Sequence, residues 1–93
     1  MAKQIMRTTT LERRELYSFC DELPAPVVAV PVVTGKRGTG LQLHLRYRGE
    51  QVTIIENGRA CTFRSLDDIV FELDGAPNVR TQRLIVDADG WFS

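Results

Sequence analysis

The sequence predicts an α+β domain, in which a mixed and mostly antiparallel sheet of about five strands is covered on one face by two helices. Residues 41–63 predict the sheet, because apolar and polar side chains alternate along three segments separated by two glycine-containing turns. Residues 65–75 predict a helix, because a capping pattern precedes apolar residues spaced three and four apart. The expected order of elements is α-β-β-β-β-α-β in a two-layer sandwich. At 93 residues the chain is expected to form a single domain over residues 1–93.

The first helix is expected to begin after the three threonines at residues 8–10. Thr9 and Glu12 have the spacing of a capping box, in which each side chain bonds the backbone N–H of the other residue. Apolar residues then recur at helical spacing until Pro24, which disfavours a helical conformation in the residue before it. This apolar stripe contains Leu16, Phe19, Cys20 and Leu23. Residues 1–7 are expected to be flexible or to add an edge strand.

Residues 27–34 form a β-branched run that predicts the first strand. Pro31 lies in the middle of this run and has no N–H to donate, so we expect the strand at a sheet edge or with a bulge at Pro31. The last strand is expected at residues 79–87, returning parallel to the fourth strand after a helical crossover. A parallel pair of this kind makes the sheet mixed.

The first tight turn is predicted at Gly49 and Glu50. A two-residue loop that begins with glycine favours a type II′ turn, and this turn would pair Arg48 with Gln51. The pairing sets the register of the second and third strands, and therefore which side chains share a face.

The second tight turn is predicted at Asn57 and Gly58, a pair typical of a type I′ turn. This turn pairs Glu56 with Arg59, which carry opposite charges. Side chains alternate along each strand, and the two turns agree about which of them share a face. The residues expected on that apolar face are Leu43, Leu45, Tyr47, Val52, Ile54, Cys61 and Phe63.

The second helix is expected to begin after Ser65, which forms an S-x-x-D capping pattern with Asp68. Two aspartates in the first turn suit the positive end of the helix dipole. Gly75 is the expected C-terminal glycine, and Pro77 prevents continuation. The apolar stripe of this helix contains Leu66, Ile69, Val70 and Leu73.

The composition is that of a folded globular chain, with 43% hydrophobic and 26% charged residues. No apolar run is long enough to cross a membrane, and the first residues lack the apolar core of a secretory signal, so we expect no membrane partner and a cytoplasmic protein. Ten arginines against two lysines suggest a GC-rich bacterial genome.

Charge is distributed unevenly along a chain whose net charge is zero. Residues 35–64 carry six cations and two anions, whereas residues 65–93 carry six anions and two cations. Such an asymmetry either solvates two exposed faces or orients the molecule toward a charged partner.

The polar face of the sheet and the loop at residues 35–40 supply the candidate binding residues. The loop, GKRGTG, lacks the order of a phosphate-binding P-loop and precedes a strand, so a flexible hairpin tip or a contact with a nucleic-acid backbone is expected. The aromatic residues Tyr47 and Phe63 face the core, so a platform for stacking bases is missing. Candidate contacts to nucleic acid or a protein partner are Lys36, Arg37, His44, Arg46 and Arg48.

No pattern in the sequence indicates a catalytic, metal-binding or cofactor-binding site. His44 is the only histidine and is expected on the surface of the sheet. Cys20 and Cys61 fall on apolar stripes and are expected to be small buried residues. The acidic residues near Asp67 and Asp68 are explained by the helix N-terminus.

Trp91 and Phe92 end the chain and are expected either to pack on its own core or to contact another subunit. We therefore formulate three hypotheses. The first is a non-enzymatic interaction or accessory module, of a regulatory kind, that self-associates as a homodimer or binds a protein partner. The second is a nucleic-acid-binding accessory protein using the basic face and loop. The third is a small enzyme or ligand binder around His44.

Overall fold

The computed structural model describes residues 7–36 and 38–88, which form a mixed sheet flanked by two helices. The predicted α+β fold is confirmed. The strands are β1 Arg7–Glu12, β2 Val30–Lys36, β3 Gly40–Tyr47, β4 Glu50–Glu56, β5 Arg59–Ala60 and β6 Ile85–Asp87. A 3₁₀ turn at Arg13–Glu15 leads into helix α1, Leu16–Asp21, and helix α2 spans Leu66–Leu73. Within the described residues the strands lie in the order β1-β4-β3-β2-β6, and β5 pairs with β4.

The chain reaches its first helix through a strand, so the predicted capping box at Thr9 and Glu12 is wrong. Both residues lie in β1, which runs parallel to β4. The strand is favoured over a helix because Leu11, opposite Ile54, packs against the core while the backbone of this segment pairs with β4. Of the predicted edge segment, Arg7 opens β1, and residues 1–6 lie outside the described residues.

Pro31 sits in an internal strand, so the prediction of an edge position is wrong. β2 pairs with β3 on one side and with β6 on the other. Ala29 exchanges backbone hydrogen bonds with the segment at Asn78 and Arg80, both at 2.8 Å. Backbone groups alternate along a strand, so Pro31 turns its nitrogen to that same side. Pro31 lies between the Ala29–Val79 bridge and the first residue pair with β6, Val32–Ile85. At this position β2 needs no backbone N–H to pair with its neighbour.

The first hairpin turn is displaced by one residue from its predicted position. Its central residues are Arg48 and Gly49, whose φ angles of 48° and 73° are those of a type I′ turn. Tyr47 therefore lies opposite Glu50, and the strands are slipped by two residues relative to the predicted register. A two-residue slip leaves every side chain on its predicted face, since the side-chain period is two.

The second turn has its predicted geometry. Asn57 and Gly58 both have positive φ, and Glu56 lies opposite Arg59. β5 ends after Ala60, and the chain then moves away from β4. The register of this turn would place Phe63 opposite Val52 of β4, and this pairing is wrong. Phe63 instead bonds Leu41 of β3 through both backbone groups, at 2.9 and 2.7 Å.

Both helices pack on the same face of the sheet. The predicted apolar residues of β3, β4 and the segment after β5 are buried there, except Tyr47, which is half-buried. Tyr47 meets Phe19 of α1 edge to face, with ring centroids 5.7 Å apart. The residues that α1, its C-terminal turn and α2 add to this core are Leu16, Cys20, Leu23, Ile69 and Leu73.

The last strand pairs with β2 instead of the fourth strand, which corrects the prediction. Val32 lies opposite Ile85 in a parallel ladder, and an isolated bridge joins Ala29 to Val79. The predicted fourth strand is β5, which is only two residues long, Arg59–Ala60, whereas one side of β2 is available to the returning chain. The strand is accordingly short, Ile85–Asp87, and forms one edge of the sheet described here.

Candidate interaction surfaces and the buried histidine

His44 lies in the middle of the sheet face opposite the helices and is 6% exposed, so the prediction of a surface histidine is wrong. Its Nε2 is 2.7 Å from Thr34 Oγ1 on β2, and its Nδ1 is 2.8 Å from Thr53 Oγ1 on β4. The ring therefore joins three neighbouring strands. Its cross-strand neighbour Val32 is fully buried, which removes water from the same region.

The environment of His44 keeps the imidazole neutral. Burial lowers its pKa, the positive charge of Arg46 lowers it further, and the negative charge of Asp87 opposes both effects. A neutral imidazole has one donor nitrogen and one acceptor nitrogen. One threonine hydroxyl thus donates to the ring and the other accepts from it. The arrangement satisfies both nitrogens and leaves little of the ring open to a substrate.

The predicted basic residues do not form one continuous patch. Arg46 is half-buried and donates from Nε to Gln51 Oε1 at 2.7 Å, whereas Arg48 is exposed in the turn after β3. Lys36, in β2, lies opposite Gly40, which is at the other end of β3 from Arg48. Arg37 lies outside the described residues. β3 contains eight residues. With a rise of about 3.4 Å per residue, its two ends lie roughly 24 Å apart.

Helix α2 leaves half of its predicted apolar stripe exposed. Ser65 caps the helix as expected, with its Oγ accepting from Asp68 N at 3.2 Å. Ile69 and Leu73 are buried, but Leu66 is 43% exposed and Val70 57% exposed. Phe71, on the flank of the helix, is 81% exposed. The exposed residues of the helix, here named the α2 surface, are Leu66, Asp67, Asp68, Val70 and Phe71.

A second exposed apolar group lies at the edge of the sheet. Ile85 and Val86 are 40% and 50% exposed, and they point to opposite sides of β6 because side chains alternate along a strand. Arg80 and Arg83 precede them and are exposed. Neither arginine has an ion-pair partner within residues 7–36 and 38–88. The residues named below as the β6 edge are Arg80, Arg83, Ile85 and Val86.

Arg13 connects the start of α1 to α2 and to the end of β4. Its Nη2 lies 2.7 Å from Glu72 Oε1, its Nη1 lies 3.7 Å from Glu56 Oε2, and its guanidinium stands over the Phe63 ring at 5.1 Å. The hydrogen bond with Glu72 is the largest of the effects that raise the pKa of Arg13. Sequence reasoning missed this cluster, since its members come from four separate segments. Its charged members, Arg13, Glu56 and Glu72, line an open cleft of about 300 Å³.

Glu12 holds the Asn57 and Gly58 turn from across the structure. Its two carboxylate oxygens accept from the backbone N–H groups of Asn57 and Gly58, at 2.8 and 2.9 Å. Charge-assisted bonds of this kind are shorter and stronger than neutral ones. The carboxylate therefore fixes the end of β1 against the hairpin tip.

Both cysteines are buried and unpaired, which confirms the prediction. Burial raises the pKa of the Cys20 thiol to about 11 and also raises that of Cys61. A raised pKa keeps the thiol protonated and suppresses nucleophilic reactivity.

Comparisons with models of known families, with curated proteins and with solved structures found no match to this chain. Within the described residues, no group of three or more histidine, cysteine, aspartate or glutamate side chains could hold a metal ion. None of the helices in residues 7–36 and 38–88 is long and apolar enough to cross a membrane. Trp91 and Phe92 lie outside the described residues.

Proposed function

We propose that the protein is a small non-enzymatic interaction module that self-associates and acts as an accessory or regulatory component. The observation that carries this proposal is the α2 surface, where Val70 and Phe71 are 57% and 81% exposed. Fully burying a side chain of this type contributes about 1.5–3 kcal/mol. A contiguous group of such side chains on a short helix therefore favours association with another surface.

The arrangement around His44 supports a module without catalytic chemistry. Both ring nitrogens are occupied by threonine hydroxyls, and the ring is 6% exposed. A general base must reach a proton on the substrate. The third hypothesis, an enzyme or ligand binder around His44, would need this histidine to become accessible.

Sedimentation velocity of the full chain over a concentration series tests self-association. We expect the weight-average mass to rise above that of a 10.5 kDa monomer as concentration increases. A variant lacking Trp91 and Phe92 is expected to associate less, since these aromatic residues follow β6 closely in the chain. A wild-type chain that remains monomeric at every concentration would contradict the proposal.

The second candidate is a nucleic-acid accessory role. It is favoured by Arg48, which is exposed in a turn and has no ion-pair partner among the residues described. Binding through phosphate contacts would fall steeply with salt. We expect Arg48→Gln to weaken binding to a labelled duplex at low salt, with Arg64→Gln as an exposed control. Absence of a mobility shift at low salt would exclude this role.

A further inference from the structure

We propose that self-association is head to tail, with the α2 surface of one copy docking on the β6 edge of a second copy. This inference rests on the proposed self-association and names the two surfaces that meet. The chain carries two separate apolar groups, one on a helix and one at a sheet edge, and their surrounding charges are opposite in sign.

The α2 surface is acidic around its apolar residues. Helix α2 contains Asp67, Asp68 and Glu72 and no cation. Glu72 is engaged by Arg13, and Asp68 lies 3.8 Å from Arg64, a side chain that is 96% exposed. Asp67 is exposed and has no ion-pair partner in the described part of the chain. Two α2 surfaces facing each other would place aspartates of both copies together, and like charges oppose such a contact.

The β6 edge offers the complementary chemistry. Arg80 and Arg83 are exposed and without an ion-pair partner in the described chain, and they precede Ile85 and Val86, whose exposed fractions are 40% and 50%. A guanidinium binds a carboxylate through two parallel hydrogen bonds. Asp87 is half-buried at the end of β6 and interacts electrostatically with His44. Its negative charge lowers the net positive charge of this segment. The two exposed arginines and the two exposed apolar residues nonetheless lie within seven residues of each other in the chain, residues 80–86.

A contact between these two surfaces is heterologous, since the partners contribute different residues. Each dimer then retains one unused α2 surface and one unused β6 edge. Such contacts close into a ring if the rotation between copies permits and otherwise continue as an open chain. The proposal therefore expects species larger than a dimer at high concentration.

Complementation between two variants of the full chain tests the arrangement. Val70→Glu places a charge on the α2 surface, and Val86→Glu places one on the β6 edge. Each variant alone is expected to lose association by about tenfold or more, since an unpaired charge would be buried in the contact. An equimolar mixture is expected to form a dimer, because the Val70→Glu chain retains its β6 edge and the Val86→Glu chain retains its α2 surface.

Charge exchange provides a second test that keeps the apolar residues unchanged. Asp67→Arg and Arg83→Asp are each expected to weaken association. Mixing these two variants is expected to restore it through two contacts. The new arginine of one chain meets the new aspartate of the other, and the unchanged Asp67 of one chain meets the unchanged Arg83 of the other. Circular dichroism and thermal unfolding establish that each variant is folded. Thr8→Glu, at an exposed position of β1 on the opposite edge of the sheet, is the control and should associate like the wild type.

The outcomes separate this inference from the proposed function. A monomeric wild type contradicts both, and a monomer that begins to associate when Trp91 and Phe92 are deleted would show that the chain covers its own apolar surface. A wild type that associates while neither Val70→Glu nor Val86→Glu weakens it overturns the head-to-tail contact alone. The same holds if either variant still forms a full dimer by itself, as a symmetric contact would allow, or if mixing restores nothing.

Discussion

At the scale of single residues, two polar side chains hold the sheet in ways that depend on contacts far apart in sequence. His44 joins Thr34 and Thr53, and Glu12 holds the turn at Asn57 and Gly58. Substituting each side chain separately measures what these contacts contribute to the stability of the fold.

The lowered pKa of His44 makes stability depend on pH. The unfolded chain titrates near the ordinary histidine value of about 6.5, whereas the folded chain titrates lower because of burial and Arg46. The contribution of neutral His44 is therefore fully present above about pH 6.5. It is lost as pH falls through that value toward the lower pKa of the folded state, by at most about 1.4 kcal/mol per pH unit.

Urea unfolding of the wild type and of His44→Gln between about pH 8 and about pH 5 measures this effect. Glutamine can donate and accept hydrogen bonds but does not titrate. We expect the stability of the wild type relative to the variant to decrease as pH falls. A difference between the two proteins that is constant with pH would contradict the proposed environment of His44.

Glu12→Gln replaces a carboxylate that accepts two backbone N–H groups. The amide oxygen of glutamine can still accept one of these two hydrogen bonds. The amide nitrogen would face the other backbone N–H, and two donors cannot bond. We expect the free energy of unfolding at neutral pH to fall by about 1–2 kcal/mol. Glu15→Gln is the matched control, because Glu15 lies in the adjacent 3₁₀ turn, is exposed and caps no backbone group. Equal losses in the two variants would mean that the Glu12 contacts contribute nothing specific.

At the scale of elements, the sequence predicted strands, faces and the second helix more reliably than it predicted registers and partners. Arg48, Gly49 and Glu50 are compatible with two turn types, and the choice shifts the register by two residues. The predicted apolar face is nevertheless correct, because a shift by two residues keeps every side chain on the same side of the sheet. The turn at Asn57 and Gly58 allowed no such ambiguity, since this pair strongly favours a type I′ turn.

The other differences between the predicted and the observed structure come from contacts between residues far apart in sequence, which local sequence patterns do not reveal. The burial of His44 depends on Thr34 and Val32, which reach it only after β2 pairs with β3. The core covers the side of α2 that carries Ile69 and Leu73, and Leu66 and Val70 are left exposed. Local spacing identifies an apolar stripe but does not determine which part of it another element covers.

The first hairpin turn also contains a residue that a better turn former could replace. Arg48 has a φ of 48°, a conformation that Asn adopts more readily than other residues with side chains. We expect Arg48→Asn to raise the free energy of unfolding by about 0.5–1 kcal/mol, measured by urea denaturation. The reciprocal change in the other hairpin, Asn57→Arg, should lower it by a similar amount. Destabilisation by Arg48→Asn would show that the arginine side chain itself stabilises the turn.

At the scale of the whole molecule, charge along the sequence and charge on the surface are different quantities. The last third of the chain is acidic overall, yet Arg80 and Arg83 give the β6 edge an exposed basic group. Among the described cations of the middle third, Lys36 and Arg48 lie near opposite ends of β3, and Arg46 is bonded to Gln51. The two apolar surfaces therefore carry the opposite charges, which the segment totals alone did not locate.

Salt should distinguish the electrostatic from the apolar part of self-association. Raising NaCl from about 0.05 M to about 0.5 M shortens the screening length from roughly 14 Å to roughly 4 Å, so contacts between exposed arginines and aspartates weaken. We expect the wild type to dissociate progressively in sedimentation velocity over this range. The Asp67→Arg variant should show the opposite dependence, because salt screens the repulsion between its new arginine and the arginines of the β6 edge. Wild-type association that strengthens with salt would identify a purely apolar contact, since salt does not screen burial of apolar surface. Both measurements belong at about pH 8, because near the sequence pI of 6.6 the low net charge promotes non-specific association.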